Sequence, residues 1–99
     1  MAEKTIFKED VKDITKVPKM YKVILLNDDY TTMDFVVRII ITIFHKSAAE
    51  ATKIMLDVHE RGKGIVGVYT YDIARTKINK VDELARMEDF PLRAIMEEE

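Results

Sequence analysis

A group of hydrogen-bond acceptors directly follows an apolar run in the first third of the chain. Residues 23–26 are all aliphatic, and Asn27, Asp28 and Asp29 come next with no glycine or proline between them. One amide and two carboxylates at the end of a strand present acceptors that suit a cation. Further along the chain, His59 lies four residues after Met55, so the two share one face of a predicted helix.

Simpler interpretations of these residues exist. Asparagine and aspartate side chains bond their own backbone, so residues 27–29 also fit a turn that links a strand to a helix. A lone histidine near a helix end suits the helix dipole, and isolated methionines usually fill cores. The combination of polar and apolar residues is therefore more informative than any single member.

A metal-dependent hydrolase is another alternative, with Asp28, Asp29 and His59 as ligands or as a base and its orienting partner. No serine or lysine nucleophile stands beside them, and neither H-x-x-x-H nor D-x-D spacing occurs. Residues 62–67 match the spacing G-x-G-x-x-G, but a predicted helix precedes them and a strand follows, which inverts a dinucleotide-binding loop. The sequence predicts no enzyme, no metal and no cofactor.

The apolar pattern predicts three strands and three helices. Period-two alternation indicates a strand from Tyr21 to residue 26. β-Branched and aromatic residues indicate a second strand over 65–70, and residues 92–96 could form a short last strand. Helices are predicted over about 32–44, from Ser47 to Gly62, and from about 73 to before Pro91. The order β-α-α-β-α-β predicts an α+β fold, a small sandwich in which three helices cover one face of a three-stranded antiparallel sheet.

Two helix starts carry capping signals. Thr31 with Asp34 has the spacing of a capping box, and Ser47 with Glu50 repeats it at the second helix. Gly62 is placed to end that second helix.

Composition limits the class of protein. The chain has 99 residues, a net charge of -2 and no cysteine, so we expect one domain without disulfides and no nucleic-acid partner. Its longest apolar run, residues 23–26, is far too short to cross a membrane, and no secretory signal pattern is present. We expect a cytoplasmic monomer, with a flexible N-terminal extension over 1–19 and a core domain over 20–99.

Several segments together resemble the ClpS family of adaptors, which select proteins by their first residue for the Clp protease. The matching segments are residues 21–31, Met33 with Phe35 and Val36, residues 55–59, 62–64 and 67–70, Ala74, Thr76 with Lys77, and Pro91 with Leu92.

The resemblance implies that Asn27, Asp29 and His59, with Asp28 adjacent, hold the free α-amino group of a substrate. An α-amino group is mostly protonated at neutral pH and has three donors to satisfy. The pocket for the first side chain is implied to consist of Thr31, Met33, Val36, Met55, Val58 and Leu92. The resemblance also implies a preference for Phe, Leu, Tyr and Trp, with Met33 as a gate against Ile and Val.

The resemblance further implies a partner, the N-terminal domain of a ClpA-type AAA+ unfoldase, which would bind Asp72 and Lys77. The N-terminal extension would assist delivery to the ClpAP protease. Two residues depart from the family pattern: Thr32 stands where proline is common, which we expect to loosen the helix start, and Arg75 replaces a usual glutamate. The alternative is an interaction module that binds a partner helix without recognising an amine.

Overall fold

The computed structural model of the protein describes residues 17–99, so the predicted extension over 1–19 lies almost entirely outside the described residues. The elements follow one another in the predicted order. They are β1 (Met20–Leu26), α1 (Met33–Phe44), α2 (Ala48–Arg61), β2 (Lys63–Thr70), α3 (Tyr71–Met87) and β3 (Arg93–Glu98). The predicted α+β class and element order are confirmed.

The three strands form one antiparallel sheet in the order β2-β1-β3. On β1, Val23 pairs with Gly67 whereas Ile24 pairs with Ile65, so Val66 is an extra residue and β2 carries a bulge. Val66 is nonetheless buried, with 1% of its surface exposed. The central strand β1 thus has partners on both edges, which fixes the position at which its polar end leaves the sheet.

The helices cover one face of the sheet and enclose a single cluster of apolar side chains. Val23 and Leu25 of β1 are fully buried, as period-two alternation predicts for one strand face. On α1, Phe35, Ile39 and Ile40 are the most deeply buried residues, and this packing holds a helix whose β-branched content gives it low intrinsic propensity.

The start of α1 differs from the prediction. Its N-cap is Thr32, whose side chain accepts a hydrogen bond from the Phe35 backbone N–H at 3.2 Å, and Thr31 caps nothing. The expectation that Thr32 loosens this helix start was wrong, because a threonine at the N-cap satisfies an otherwise unpaired backbone donor.

The predicted ends of α2 are confirmed. The Ser47 hydroxyl accepts from the Glu50 backbone N–H at 3.1 Å. Gly62 lies in the left-handed region with φ at 89°, and its N–H donates to the Val58 carbonyl at 3.0 Å. Glycine adopts this backbone conformation without the steric cost that a side chain brings.

The strand β2 begins at Lys63, two residues earlier than predicted. Gly64 lets it pass close to α2, because a Cβ there would stand 2.8 Å from Val58 Cγ2 and 3.2 Å from the Ile54 carbonyl oxygen. Helix α3 follows β2 directly, and none of the helices in residues 17–99 is long and apolar enough to span a membrane.

Candidate functional site

A pocket of about 370 Å³ opens where the end of β1 meets the first turn of α1 and the last turns of α2. We call it the strand-end pocket. Its lining residues are Asn27, Asp28, Asp29, Thr31, Thr32, Met33, Val36, Met55, Val58 and His59. Nine of these ten residues were predicted as site residues, and Thr32 is the addition.

Local hydrogen bonds bring the two halves of this pocket together. The Asn27 backbone N–H donates to the Gly62 carbonyl at 2.9 Å, which joins the end of β1 to the C-cap of α2. His59 lies one turn before that cap, so the imidazole and the polar loop face the same space. Residues more than thirty positions apart in sequence thereby line one site.

The carboxylate of Asp28 accepts hydrogen bonds from residues of its own loop. One of its carboxylate oxygens accepts from the backbone N–H groups of Tyr30 at 2.8 Å and Thr31 at 2.7 Å, and the other accepts from the Thr31 hydroxyl at 2.7 Å. Partial burial on its own raises the pKa of Asp28, but the hydrogen bonds from Thr31 and Tyr30 outweigh it and lower that pKa below its usual range. The turn interpretation of Asp28 is therefore correct for this residue.

Asn27, Asp29 and His59 differ from Asp28 in their contacts. All three are exposed, and their side chains make no hydrogen bond or ion pair with any other residue of 17–99. They provide an amide oxygen, a carboxylate and an imidazole nitrogen that are open to a ligand with several donors.

The other side of the strand-end pocket is apolar. Val36, Met55 and Val58 are 6%, 9% and 2% exposed and belong to the core. Met33 also lines the pocket, with 44% of its surface exposed. Val58 packs closely against Gly64, so this wall of the pocket rests on β2.

Leu92 does not line this pocket. It is 3% exposed, belongs to the same core as Val36, and borders a separate depression with Ala85 and Phe90. Its position explains this: Leu92 lies two residues before the buried Ala94, on the core side of the segment that enters β3.

The strand-end pocket has an acidic character. Two carboxylates line it, and no lysine or arginine of the described chain does. Within residues 17–99 no group of three histidine, cysteine, aspartate or glutamate side chains is arranged to hold a metal ion. The site as built suits an organic cation attached to an apolar group.

Asp72 and Lys77 come together elsewhere, in a cleft of about 490 Å³ between α1 and α3 that we call the α1–α3 cleft. The Lys77 ammonium donates to the Ile43 carbonyl at 2.7 Å and lies 5.7 Å and 5.3 Å from the ring centres of Phe44 and Tyr69. Lys77 thus binds an unpaired carbonyl in the last turn of α1. Arg75 is exposed and does not line the cleft.

Comparison with known proteins identifies relatives across nearly the whole chain. The family model described as ATP-dependent Clp protease adaptor protein ClpS matches residues 16–95. A protein of that name from Acetivibrio thermocellus is 68% identical over 99 residues, covering 100% of both chains. Its counterpart from Clostridium acetobutylicum is 56% identical and covers 99% of each.

A solved structure is also similar. It is described as Agrobacterium tumefaciens ClpS2 bound to L-phenylalaninamide, and it matches with a TM-score of 0.81 and 38% sequence identity. The match covers 84% of this chain and 100% of the other.

Proposed function

This chain belongs to the ClpS family of ATP-dependent Clp protease adaptor proteins, and we propose that it captures proteins through a free N-terminal bulky hydrophobic residue. The observation that carries the proposal is the strand-end pocket, in which the open acceptors of Asn27, Asp29 and His59 stand beside the apolar wall of Met55 and Val58. An N-terminal residue is the ligand that joins an ammonium to an apolar side chain at one carbon atom.

The similar ClpS2 structure supports this ligand class. L-Phenylalaninamide carries a free α-amino group and a benzyl side chain, and nothing after the first residue. The same two groups suit the acceptors and the apolar wall of the strand-end pocket here.

The energetics require both halves of the pocket. Burial of roughly 150 to 200 Å² of a phenylalanine side chain contributes about 4 to 5 kcal/mol at about 25 cal/mol per Å². A micromolar complex needs about 8 kcal/mol. The remainder has to come from the ammonium, and an acetylated or internal amide would leave the acceptors that the ligand covers without donors.

We propose different roles for Asp28 and for its neighbours Asn27 and Asp29. Its carboxylate oxygens bind Tyr30 and Thr31, so we assign it to positioning Asn27 and Asp29 rather than to holding the amine. A rigid loop reduces the entropy that the acceptors lose when a ligand binds.

Selectivity among apolar residues is assigned to Met33. Its half-exposed side chain lines the pocket. We expect a ligand side chain branched at Cβ to collide with it, while Phe, Leu, Tyr and Trp pass. The pocket of about 370 Å³ has room for a large side chain with its amino group.

Delivery is the second part of the function. We propose that the chain hands its substrate to a ClpA-type unfoldase coupled to the ClpP protease, and that it binds the N-terminal domain of that unfoldase. Asp72 is the proposed docking residue, because its carboxylate has no partner among residues 17–99. Lys77 would contribute charge to the same surface while it binds the Ile43 carbonyl. The chain itself would act without catalysis.

Fluorescence anisotropy with a labelled ten-residue peptide that starts with Phe tests the proposal. The free peptide should bind, and the same peptide with an acetylated N-terminus should bind at least about 30-fold more weakly, since a hydrogen bond to a charged group contributes about 1.5 to 3 kcal/mol and several are lost. Equal binding of both forms would overturn the proposal and favour a module that binds a partner helix. Absence of binding by either form would overturn it as well.

A further inference from the structure

The strand-end pocket is lined by two methionines that differ in their access to solvent. Met33 is 44% exposed, whereas Met55 is 9% exposed. Elsewhere in the described chain, Met87 is exposed but does not line the pocket, and Met20 and Met96 are partly buried. Met33 is therefore the one methionine of the described chain that is both exposed and part of the pocket.

A methionine sulfur reacts with peroxides by transfer of one oxygen atom. In hydrogen peroxide the O–O bond breaks, an S–O bond forms, and the second oxygen leaves with both hydrogens as water. The sulfur loses two electrons and the peroxide gains them, so no other reactant takes part. Hydrogen peroxide is small and uncharged, so the carboxylates of Asp28 and Asp29 do not repel it from the pocket.

The product, a methionine sulfoxide, differs from methionine in the ligand that it suits. A thioether packs against apolar groups, whereas a sulfoxide carries a polar oxygen that accepts hydrogen bonds from water. An apolar side chain that covers this oxygen removes its water and offers no donor in return, which costs binding free energy. A pocket that contains the sulfoxide should therefore bind a bulky apolar residue more weakly.

From these observations we propose that Met33 is a modification site. Hydrogen peroxide converts its thioether to the sulfoxide, and the sulfoxide weakens capture of apolar N-terminal residues until it is reduced again. The inference rests on the proposed function, because it places the first side chain of a substrate in the strand-end pocket. It adds a chemical state in which the acceptors Asn27, Asp29 and His59 are intact but the apolar side of the pocket is not.

The first test uses the native protein. Peptide mass spectrometry follows the fraction of sulfoxide at each methionine during treatment with hydrogen peroxide, and calorimetry measures the affinity of the same samples for L-phenylalaninamide. We expect protein with Met33 sulfoxide to bind about tenfold more weakly, as burial of an unpaired polar group predicts. Unchanged affinity after complete oxidation of Met33, or a loss that follows the sulfoxide of Met55 or Met87 instead, would overturn the inference.

Two variants locate the effect. Met87→Leu removes an exposed thioether outside the pocket and should lose affinity on treatment as the native protein does. Met33→Leu removes the proposed site, so the ratio of its affinities before and after treatment should be about one, whatever its starting affinity. A tenfold loss in treated Met33→Leu would assign the effect to another residue.

Protection by a ligand is a further measurement that needs no variant. At a concentration of L-phenylalaninamide about ten times its Kd, roughly one protein molecule in ten is free, so sulfoxide formation at Met33 should slow by about tenfold. The rate at Met87 should not change, because this residue does not line the pocket. Equal rates at Met33 with and without ligand would place its sulfur away from the bound side chain and overturn the inference.

Reduction separates oxidation of sulfur from other damage. A methionine sulfoxide reductase with a dithiol as reductant removes the sulfoxide oxygen as water and converts the dithiol to a disulfide. This treatment should restore the affinity of the oxidised native protein for L-phenylalaninamide. A loss that persists after Met33 is reduced would overturn the inference.

Failure of the proposed function gives a different result. If the untreated native protein does not bind L-phenylalaninamide, the strand-end pocket does not bind N-terminal residues, and both proposals fall. If the untreated protein binds and complete oxidation of Met33 leaves its affinity unchanged, only the modification site falls.

Discussion

The strand-end pocket and the α1–α3 cleft both border α1, but the charge that stabilises the fold is an aspartate in the pocket and a lysine in the cleft. In the pocket Asp29 projects without a partner among residues 17–99, and the loop is held by its neighbour Asp28. In the cleft Lys77 is bound to the Ile43 carbonyl and lies against two aromatic rings, while Asp72 is unpaired within the same range. Each region thus contains one charge that builds the fold and one that is open to a ligand.

This difference separates residues that the sequence groups together. Asp28 and Asp29 are adjacent aspartates, and no pattern in the sequence tells which one folds back on its own loop. The structure makes them distinguishable by experiment, because a loop-building residue affects stability and an open one affects binding.

The largest expected effect is loss of binding in Asp29→Ala. If Asp29 pairs with the substrate ammonium as proposed, removal of its carboxylate should weaken binding of a Phe-starting peptide by about 30- to 150-fold, or about 2 to 3 kcal/mol. Anisotropy titration measures this loss. The peptide affinity of Asp29→Asn should lie between that of Asp29→Ala and that of the native protein.

Asp57→Ala serves as the control for that variant, because the Asp57 carboxylate has only a 4.0 Å ion pair with Arg61 and lies outside the strand-end pocket. Equal weakening in both variants would mean that general charge, rather than the position of Asp29, attracts the ligand.

A smaller effect is expected at the rim. Met33→Ala should allow peptides that start with Val or Ile to bind about tenfold more tightly than they bind the native protein, since the exclusion that we propose for Met33 is steric. Met87→Ala is the control, at a methionine that is 71% exposed and does not line the pocket. Continued exclusion of Val and Ile would place selectivity in the pocket floor instead.

Asp28→Ala should act on stability first. Three hydrogen bonds are lost, and we expect the free energy of unfolding in urea to fall by about 1 to 2 kcal/mol. Asp29→Ala should change that energy by less than about 0.5 kcal/mol, as is usual for exposed positions. If Asp29→Ala lost more stability than Asp28→Ala, Asp29 rather than Asp28 would be the residue that holds the loop.

The contribution of Asp28 to stability should also depend on pH. Although burial opposes it, the hydrogen bonds lower the pKa of Asp28 in the folded chain, so its contribution to stability is complete above its unfolded pKa and disappears as the pH falls through the folded value. The stability difference between the native protein and Asp28→Ala should therefore narrow below about pH 4. A difference that widens on acidification would contradict the assignment.

The smallest effect concerns the cleft. Lys77→Met should lower the free energy of unfolding by about 1 kcal/mol, because the Ile43 carbonyl loses its donor, and should leave binding of Phe-starting peptides unchanged. Lys80→Met is the control, at a cleft lysine with no hydrogen bond or ion pair recorded in the described chain. Equal free energies of unfolding for the two variants would show that the hydrogen bond from Lys77 to the Ile43 carbonyl does not stabilise the end of α1.

Much of the fold was predictable because its signals are local. Period-two spacing identifies β1, helical spacing identifies the three helices, and β-branched and aromatic content identifies β2. Ser47 and Gly62 mark the ends of α2 by their own chemistry. The cap of α1 was not predictable, since Thr31 and Thr32 are identical neighbours and only backbone geometry chooses between them. The bulge at Val66 likewise depends on pairing with β1.

The candidate site was predictable where local pattern and family resemblance coincide. Asn27, Asp29 and His59 do line one pocket, which no spacing within a single element could show. Leu92 was misplaced because a buried aliphatic residue near a strand start gives no sign of which side of the core it fills. The bond from Lys77 to Ile43 joins residues 34 positions apart and is visible only in the fold.

The proposed function requires that the strand-end pocket bind an ammonium and an apolar side chain together. Calorimetric titration with L-phenylalaninamide and with N-acetyl-L-phenylalaninamide tests it with ligands that have no residue beyond the first. The free amine should bind, and acetylation should weaken binding by at least about 30-fold. Equal affinity of the two compounds would contradict it.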